Sequence, residues 1–164
     1  MHPLRKLIFD EKLLSSLAKT YGTPLYIYSQ ERITENVLNL KNALNKHFEK
    51  FHICYAIKSN SNPHLIKTMR EAFPKIGGDC SSPGEIYAAE LSGIDPSDCI
   101  YTGNYESPSD LKKALTKQCN VNLDDITSLN RIKKIGLPKR ISFRMNPGFG
   151  GGSYSGIVTG GRDA

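Results

Sequence analysis

The stretch FHICYAIKSNSNPHLIKTM, Phe51 to Met69, predicts a strand, a polar turn and a helix in that order. Its first eight residues, FHICYAIK, are rich in aromatic and β-branched side chains, which favour a strand. Pro63 follows Asn62, and proline at the first helical position after serine or asparagine is a common way for a helix to begin. The stretch therefore reads as one βα unit.

The same unit recurs along the 164 residues. Four more strands are predicted, and helices begin at Pro83, at Pro108 and near Ile126; the strands are IGGDCS, CIYTG, CNVNL and RISFRMN. Strands that alternate with helices over short turns favour parallel βαβ units, in a doubly wound sheet or a (β/α)₈ barrel. No G-x-G-x-x-G follows the first strand, which disfavours a dinucleotide-binding sheet. A barrel typically needs about 250 residues, so we predict an α/β fold that is a partial barrel ending after about the fifth strand.

Two elements precede this series. Residues Asp10 to Tyr21 predict a helix that ends at Gly22, and PLYIYS predicts a short strand. Ser29 is placed to cap a second helix with an apolar stripe at helical spacing. We expect residues 1–30 to be a lead-in whose strand joins a further β-domain, and residues 31–164 to be the N-terminal part of the barrel.

Composition excludes several function classes. The chain has 38% hydrophobic and 23% charged residues, as in ordinary soluble domains. The net charge is +6, but lysine and arginine are spread along the chain and no RNA-binding aromatic motif occurs, so a solvated basic surface is favoured over a nucleic-acid site. There is no membrane-length apolar run, and MHPLRKLIFDEKLL is not a secretory signal. We expect a cytoplasmic protein without nucleic-acid or membrane partners.

The four cysteines lie far apart in predicted strands and form no C-x-x-C pair. They are expected to be small buried thiols, with no zinc, other metal or redox pair.

Lys58 ends the first predicted strand. Because side chains alternate between faces, His52, Cys54, Ala56 and Lys58 share one face, and this mostly small set suits a barrel interior. The lysine would then emerge at the carboxyl end of the strand, where barrel enzymes carry their chemistry. A desolvated lysine amine is a nucleophile that forms Schiff bases with carbonyls. On spacing alone, an ordinary surface lysine is the favoured explanation of the position.

The segment YAIKSN, Tyr55 to Asn60, resembles the YAxKAN segment of the alanine-racemase-like, or fold type III, pyridoxal-phosphate enzymes. Further motifs similar to that family follow in order from about Tyr21 onward: YGTPLYIYS, GGDCSSPGE, a TGN turn, VNLDD in place of NVDS, and FRMNPGFG, which matches R-x-NPG. The TGN turn and RMNPG look most like the diaminopimelate decarboxylases. The resemblance implies a pyridoxal 5'-phosphate-dependent decarboxylase that acts on an amino acid.

The resemblance also implies roles for individual residues. Lys58 would carry the cofactor and take part in catalysis, Asp79 would lie near it, and Arg144 would line the site. Glu85 matches the family's G-E, but Ser82-x-x-Glu85 is also a capping box, so both residues have a structural alternative. Asn60 is explained equally well as a turn residue. His52 is better explained as a histidine in the core or at the bottom of the barrel, and we do not assign it to catalysis.

In this family the residues that hold the phosphate and pair with the pyridine nitrogen, and those that a second subunit contributes, lie beyond residue 164. We therefore expect a homodimer for the full-length enzyme and no activity for this chain alone. The glycine-rich stretch Gly148 to Gly161 is predicted to be a mobile loop over the site. Three alternatives stay open: another decarboxylase (ornithine, arginine or carboxynorspermidine) or alanine racemase of the same fold, a non-enzymatic pyridoxal-phosphate-binding protein, and a basic scaffold or nucleic-acid binder.

Overall fold

The structure is a computed structural model that describes residues 10–104, 106–138, 140–151 and 160. Its centre is one sheet of five strands, all parallel, in the order β1-β2-β3-β4-β5. The strands are β1 (Cys54–Ala56), β2 (Gly77–Cys80), β3 (Ile100–Tyr101), β4 (Asn120–Leu123) and β5 (Ile141–Phe143). A doubly wound sheet reverses its strand order at a switch point, and this sheet does not. The prediction of a partial (β/α)₈ barrel is confirmed.

Each helix begins where a short polar side chain caps it. The helices are α1 (Glu11–Tyr21), α2 (Gln30–Asn45), α3 (Pro63–Ala72), α4 (Pro83–Leu91), α5 (Pro108–Thr116) and α6 (Ile126–Ile135). The cap side chains each accept a backbone N–H of the first turn, and they are Asp10, Ser29, Asn62, Ser82, Ser107 and Asp125. Proline fills the first helical position of α3, α4 and α5, where it removes no hydrogen bond. These starts were predicted from the sequence.

The helices α2 to α6 pack side by side in chain order, each against the next. Because parallel crossovers are right-handed, this order places the crossover helices on one face of the sheet. The hydrophobic core lies between that face and the helices, and includes Ile66, Ile86, Leu111 and Ile132 from the helices. Burial of each such side chain contributes about 1.5–3 kcal/mol to the free energy of folding. This layer of side chains therefore holds the helices against the sheet.

Alternation along the strands separates two faces. On β4, Val121 and Leu123 are buried toward the helices, whereas Asn120 and Asn122 are only half-buried. We call the side of the sheet that carries Asn120 and Asn122 the inner face, because it corresponds to a barrel interior. Partner residues of adjacent parallel strands share a face, so the register puts Ala56 and Asp79 on the inner face as well.

Two strand predictions need correction. Residues 24–29, PLYIYS, pair with no strand among the described residues, and Tyr26 is 87% exposed there. A strand exists only through hydrogen bonds to a partner, which the described part of this chain does not supply; the expected β-domain pairing stays a prediction. In addition, β1 ends at Ala56, and Lys58 lies in the 3₁₀ turn Ile57–Ser59 rather than on the strand. The pairing of β1 with β2 ends at Ala56, whose carbonyl oxygen accepts from the Ser59 hydroxyl of the turn at 2.7 Å, and Ile57 is fully buried.

Three of the four cysteines, Cys80, Cys99 and Cys119, are buried and all four are free, so the prediction of buried thiols is confirmed for these three. Cys54 is half-buried on the inner face. Among the helices of the described residues, none combines the length and the apolar character needed to cross a bilayer.

At Gly77, the first residue of β2, neighbouring atoms lie so close to the backbone that no side chain fits. A Cβ atom at this position would collide with the carbonyl oxygen of Asp98 and with the His52 imidazole. A backbone oxygen cannot move aside without breaking the loop before β3, so only glycine fits here.

We predict that Gly77→Ala lowers the free energy of unfolding by about 1–3 kcal/mol, the usual cost of overpacking a well-filled site. Gly84→Ala is the matched control, because Gly84 lies in the first turn of α4 and a Cβ there would meet nothing closer than 3.8 Å. That substitution should be neutral or stabilising. Urea unfolding of the two variants measures the difference, and equal stabilities would contradict the proposed close approach.

Candidate active site

Polar residues gather at the carboxyl ends of the strands. Lys58 follows β1, Asp79 lies on β2, and Asn104, Asp124 and Arg144 follow β3, β4 and β5. Parallel strands bring these ends to one edge of the sheet, which is the edge where α/β barrels bind ligands. The sequence predicted this location for Lys58, Asp79 and Arg144.

Lys58 is exposed, while its neighbour Ile57 is fully buried. The turn is closed by contacts of the following residues: the Ser59 hydroxyl lies 2.7 Å from the carbonyl oxygen of Ala56, and the Tyr55 hydroxyl lies 3.2 Å from the carbonyl oxygen of Asn60. The buried isoleucine and these hydrogen bonds fix the backbone around Lys58. The amine itself extends from a fixed turn into solvent, where a ligand can reach it.

Asp79 is half-buried on the inner face, and its register partner on β1 is Ala56, two residues before Lys58. Within the described residues no hydrogen bond or ion pair joins Asp79 to Lys58. The structure thus brings the two residues to neighbouring strand ends without direct contact.

Arg144 extends the ladder of β5, since its backbone N–H donates to the carbonyl oxygen of Leu123 at 2.8 Å. Its guanidinium donates to Asp124 at 3.0 Å and to Asn104 at 3.5 Å. The pair with Asp124 is about one-third exposed on each side, so solvent screens it. Arg144 is therefore oriented on the inner face, at the strand farthest from Lys58.

A second set of polar contacts lies on the inner face, two residues before Asp124 and Arg144 along the chain. The Asn122 side chain donates to the Thr102 hydroxyl at 3.2 Å and accepts from the Ser142 hydroxyl at 2.7 Å. It thereby links β3, β4 and β5 through side chains alone. The sequence motifs missed Asp124, Asn122 and Thr102 as inner-face groups. The signal that could have found them is alternation along CNVNLDD, where polar residues occupy every second position.

Ser82 caps α4, and Glu85 binds the residue before that cap. The Ser82 hydroxyl accepts from the backbone N–H of Glu85 at 3.3 Å, whereas the Glu85 carboxylate accepts from the backbone N–H of Ser81 at 2.8 Å. The predicted cap at Ser82 is confirmed, but the second contact of a capping box, from the Ser82 N–H to Glu85, is replaced by one from Ser81. A direct contact of either residue with the cofactor stays a prediction.

The remaining polar candidates lie elsewhere. His52 is at the opposite, amino end of β1, with Nε2 3.0 Å from the carbonyl oxygen of Asp98. Burial raises the pKa of Cys54 to about 11 and that of Cys119 to about 12, so both thiols stay protonated at neutral pH and are poor nucleophiles. No group of three His, Cys, Asp or Glu side chains in the described ranges is arranged to hold a metal ion.

The glycine-rich stretch falls largely outside the described residues, which omit 152–159 and 161–164. Its predicted role as a loop over the site stays a prediction.

Comparison with known proteins identifies the family. Residues 31–164 match the pyridoxal binding domain of the pyridoxal-dependent decarboxylases. The chain belongs to this family. Pyridoxal phosphate is therefore the cofactor of the family domain that the chain carries, as the motif around Lys58 implied.

Similar proteins agree with this assignment. The chain is 38% identical over 148 residues to the diaminopimelate decarboxylase of Thermoplasma acidophilum, covering 90% of this chain and 35% of the relative. It is 40% identical to that of Methanothermobacter thermautotrophicus, covering 88% and 34%. The solved diaminopimelate decarboxylase of Helicobacter pylori, complexed with L-lysine, superposes with a TM-score of 0.82 at 32% identity, covering 92% of this chain and 38% of that one. The chain thus spans about a third of the length of these relatives.

The residues present fit the cofactor's chemistry. Pyridoxal phosphate carries an aldehyde, and Lys58 offers an exposed primary amine on a fixed turn at the ligand-binding edge of the sheet. On the inner face, Asp79 of β2 and Asn122 of β4 are half-buried, so the core does not fill this face at either position.

We predict that Glu85→Ala lowers the free energy of unfolding by about 1 kcal/mol, because the Ser81 N–H loses its acceptor. Glu85→Gln keeps a carbonyl oxygen at the same place and should stay within about 0.5 kcal/mol of the wild type. Chemical denaturation without cofactor measures both variants. If Glu85→Ala is as stable as Glu85→Gln, the structural role of the Ser81 contact is wrong and a role confined to the bound cofactor is favoured.

Proposed function

We propose that the chain is the cofactor-anchoring part of a pyridoxal-phosphate-dependent amino-acid decarboxylase, and that the substrate is meso-diaminopimelate, converted to L-lysine and carbon dioxide. The observation that carries this proposal is the exposed Lys58 on its braced turn, at the carboxyl end of β1, within a domain of the pyridoxal-dependent decarboxylase family. The choice of diaminopimelate is supported by the relatives at 38% and 40% identity, which are named for that reaction.

The proposed roles follow from chemistry and position. When bound, pyridoxal phosphate supplies an aldehyde and an electron-accepting ring, which stabilises the electrons left behind as a carboxylate departs. Lys58 holds the aldehyde carbon through its amine. Asp79, at the neighbouring strand end, would supply a carboxylate on the side of the cofactor next to Lys58.

Arg144 is proposed to line the same site. Asp124 and Asn104 orient its guanidinium, and a planar cation held in this way suits recognition of an anionic group. Glu85 and Ser82 are proposed to act mainly through the start of α4, where their contacts fix the loop that follows Asp79.

We also propose that the 164-residue chain is inactive alone, that the full-length enzyme is a cytoplasmic homodimer, and that neither nucleic acid nor membrane is a partner. Inactivity is supported by the sheet. Five parallel strands leave β1 and β5 each with one neighbour among the described strands, and Ile141 and Phe143 of β5 are partly exposed. A closed barrel has no such edges.

Borohydride reduction after incubation with pyridoxal phosphate tests the proposed anchor. We predict that the reduced label concentrates on Lys58, at about ten times or more the occupancy of Lys67 on α3, because Lys58 extends from a fixed turn at the strand ends of the proposed site, whereas Lys67 is an exposed residue of a helix. Peptide mass spectrometry measures the distribution. The matched controls are Lys58→Arg, which should lose the selective label, and Lys67→Arg, which should not.

A label spread evenly over the surface lysines would contradict the proposed anchor. Release of carbon dioxide from meso-diaminopimelate by the purified chain would instead contradict only the proposed inactivity. A preference for ornithine or arginine in that assay would contradict the proposed substrate.

A further inference from the structure

The turn that carries Lys58 depends on one phenol. The Tyr55 hydroxyl donates to the carbonyl oxygen of Asn60 at 3.2 Å and lies 3.0 Å from the Ser59 hydroxyl, whose single hydrogen is shared between Tyr55 and the carbonyl oxygen of Ala56 at 2.7 Å. Ser59 and Asn60 are the two residues that follow Lys58. A single side chain therefore binds both residues on the carboxyl side of the lysine.

Tyr55 is itself held in place. It lies on β1 opposite Gly78 of β2, on the helix-facing side, and its half-buried ring packs against the hydrophobic core. Tyrosine has few rotatable bonds, so a packed ring holds its hydroxyl with little loss of entropy. The core is thereby connected through one rigid ring to the backbone beside the reactive amine.

A second contact braces the same turn from outside. The Asn60 side-chain amide donates to the Tyr28 hydroxyl at 3.0 Å, and its Oδ1 atom accepts from the backbone N–H of Asn62 at 3.1 Å. Tyr28 precedes α2, so this contact joins the turn to the segment before the barrel. Lys58 has a long flexible stem, and only the position of its backbone can limit where the amine goes.

We propose that Tyr55 is a positioning residue for Lys58: its hydroxyl holds Ser59 and Asn60 so that the amine leaves the turn toward the inner face. This inference rests on the proposed function, since it assigns Lys58 the cofactor. Tyr55 acts through the backbone of the turn.

Tyr55→Phe tests this inference in the full chain, because it removes the hydroxyl and keeps the packed ring. We expect the rate of reductive labelling of Lys58 by pyridoxal phosphate to fall about five- to ten-fold, the factor that corresponds to one lost hydrogen bond of ordinary strength. Labelling of Lys67 should not change. Tyr26→Phe is the matched control, because the Tyr26 side chain is 87% exposed.

Two further measurements separate positioning from general loss of structure. Amide hydrogen exchange, without cofactor, should accelerate at residues 57–62 in Tyr55→Phe and stay at the wild-type rate in α3 and α4. Ser59→Ala removes the contact with Tyr55 and also that with the carbonyl oxygen of Ala56, and it leaves the core intact. If Tyr55→Phe does not fold, a wild-type rate of Lys58 labelling in Ser59→Ala overturns the inference. If Tyr55→Phe folds, we expect the two losses of labelling to be non-additive, because both variants lose the contact between the two hydroxyls.

The outcomes distinguish this inference from the proposed function. Selective labelling of Lys58 in the wild type, with an unchanged rate in Tyr55→Phe, would overturn the positioning role and leave the cofactor anchor intact. Unselective labelling of the wild type would overturn the anchor and the positioning role together. Faster exchange at 57–62 without slower labelling would show that the brace exists but does not position the amine, which also overturns the inference.

Discussion

The site depends on a single constraint, the right-handed crossover between parallel strands. Repeated four times in chain order, it places the connecting helices on one face of the sheet and leaves the other face to side chains such as Asp79 and Asn122. It also aligns the carboxyl ends of all five strands. Residues 86 positions apart, Lys58 and Arg144, reach the same edge because of this alignment and not because of any direct contact.

Much of this arrangement could be predicted from the sequence. Serine or asparagine before proline marks the starts of α3, α4 and α5. The serine or asparagine side chain accepts a backbone N–H of the first turn, and proline has no N–H that would need an acceptor. Alternation along CNVNL could also have separated the buried Val121 and Leu123 from the half-buried Asn120 and Asn122. The role of Lys58 came from its resemblance to a family motif, since a lysine after a strand is equally common on ordinary surfaces.

What the sequence could not provide are the contacts between distant segments. The pairing of Asp124 with Arg144 and the bridge from Asn122 to Thr102 and Ser142 depend on register between strands. Local patterns do not contain register. The contact of the Tyr55 phenol with Ser59 and Asn60 is local, but it depends on the turn Ile57–Ser59 after β1, which the sequence did not predict. Residues 24–29 form no strand here because strand propensity produces a strand only beside a partner, and the expected pairing with a further β-domain stays a prediction. The turn at Lys58 was missed because alternation does not reveal that the Ser59 hydroxyl bonds the carbonyl oxygen of Ala56, where β1 ends.

The claim that Lys58 anchors the cofactor is tested most directly by a crystal structure of the chain after reduction with borohydride in the presence of pyridoxal phosphate. We predict continuous electron density from Lys58 Nζ to the cofactor, with the ring over the inner face at the carboxyl ends of β1 and β2. Density that joins the cofactor to another lysine, or a cofactor bound at the amino ends of the strands near His52, would contradict the claim.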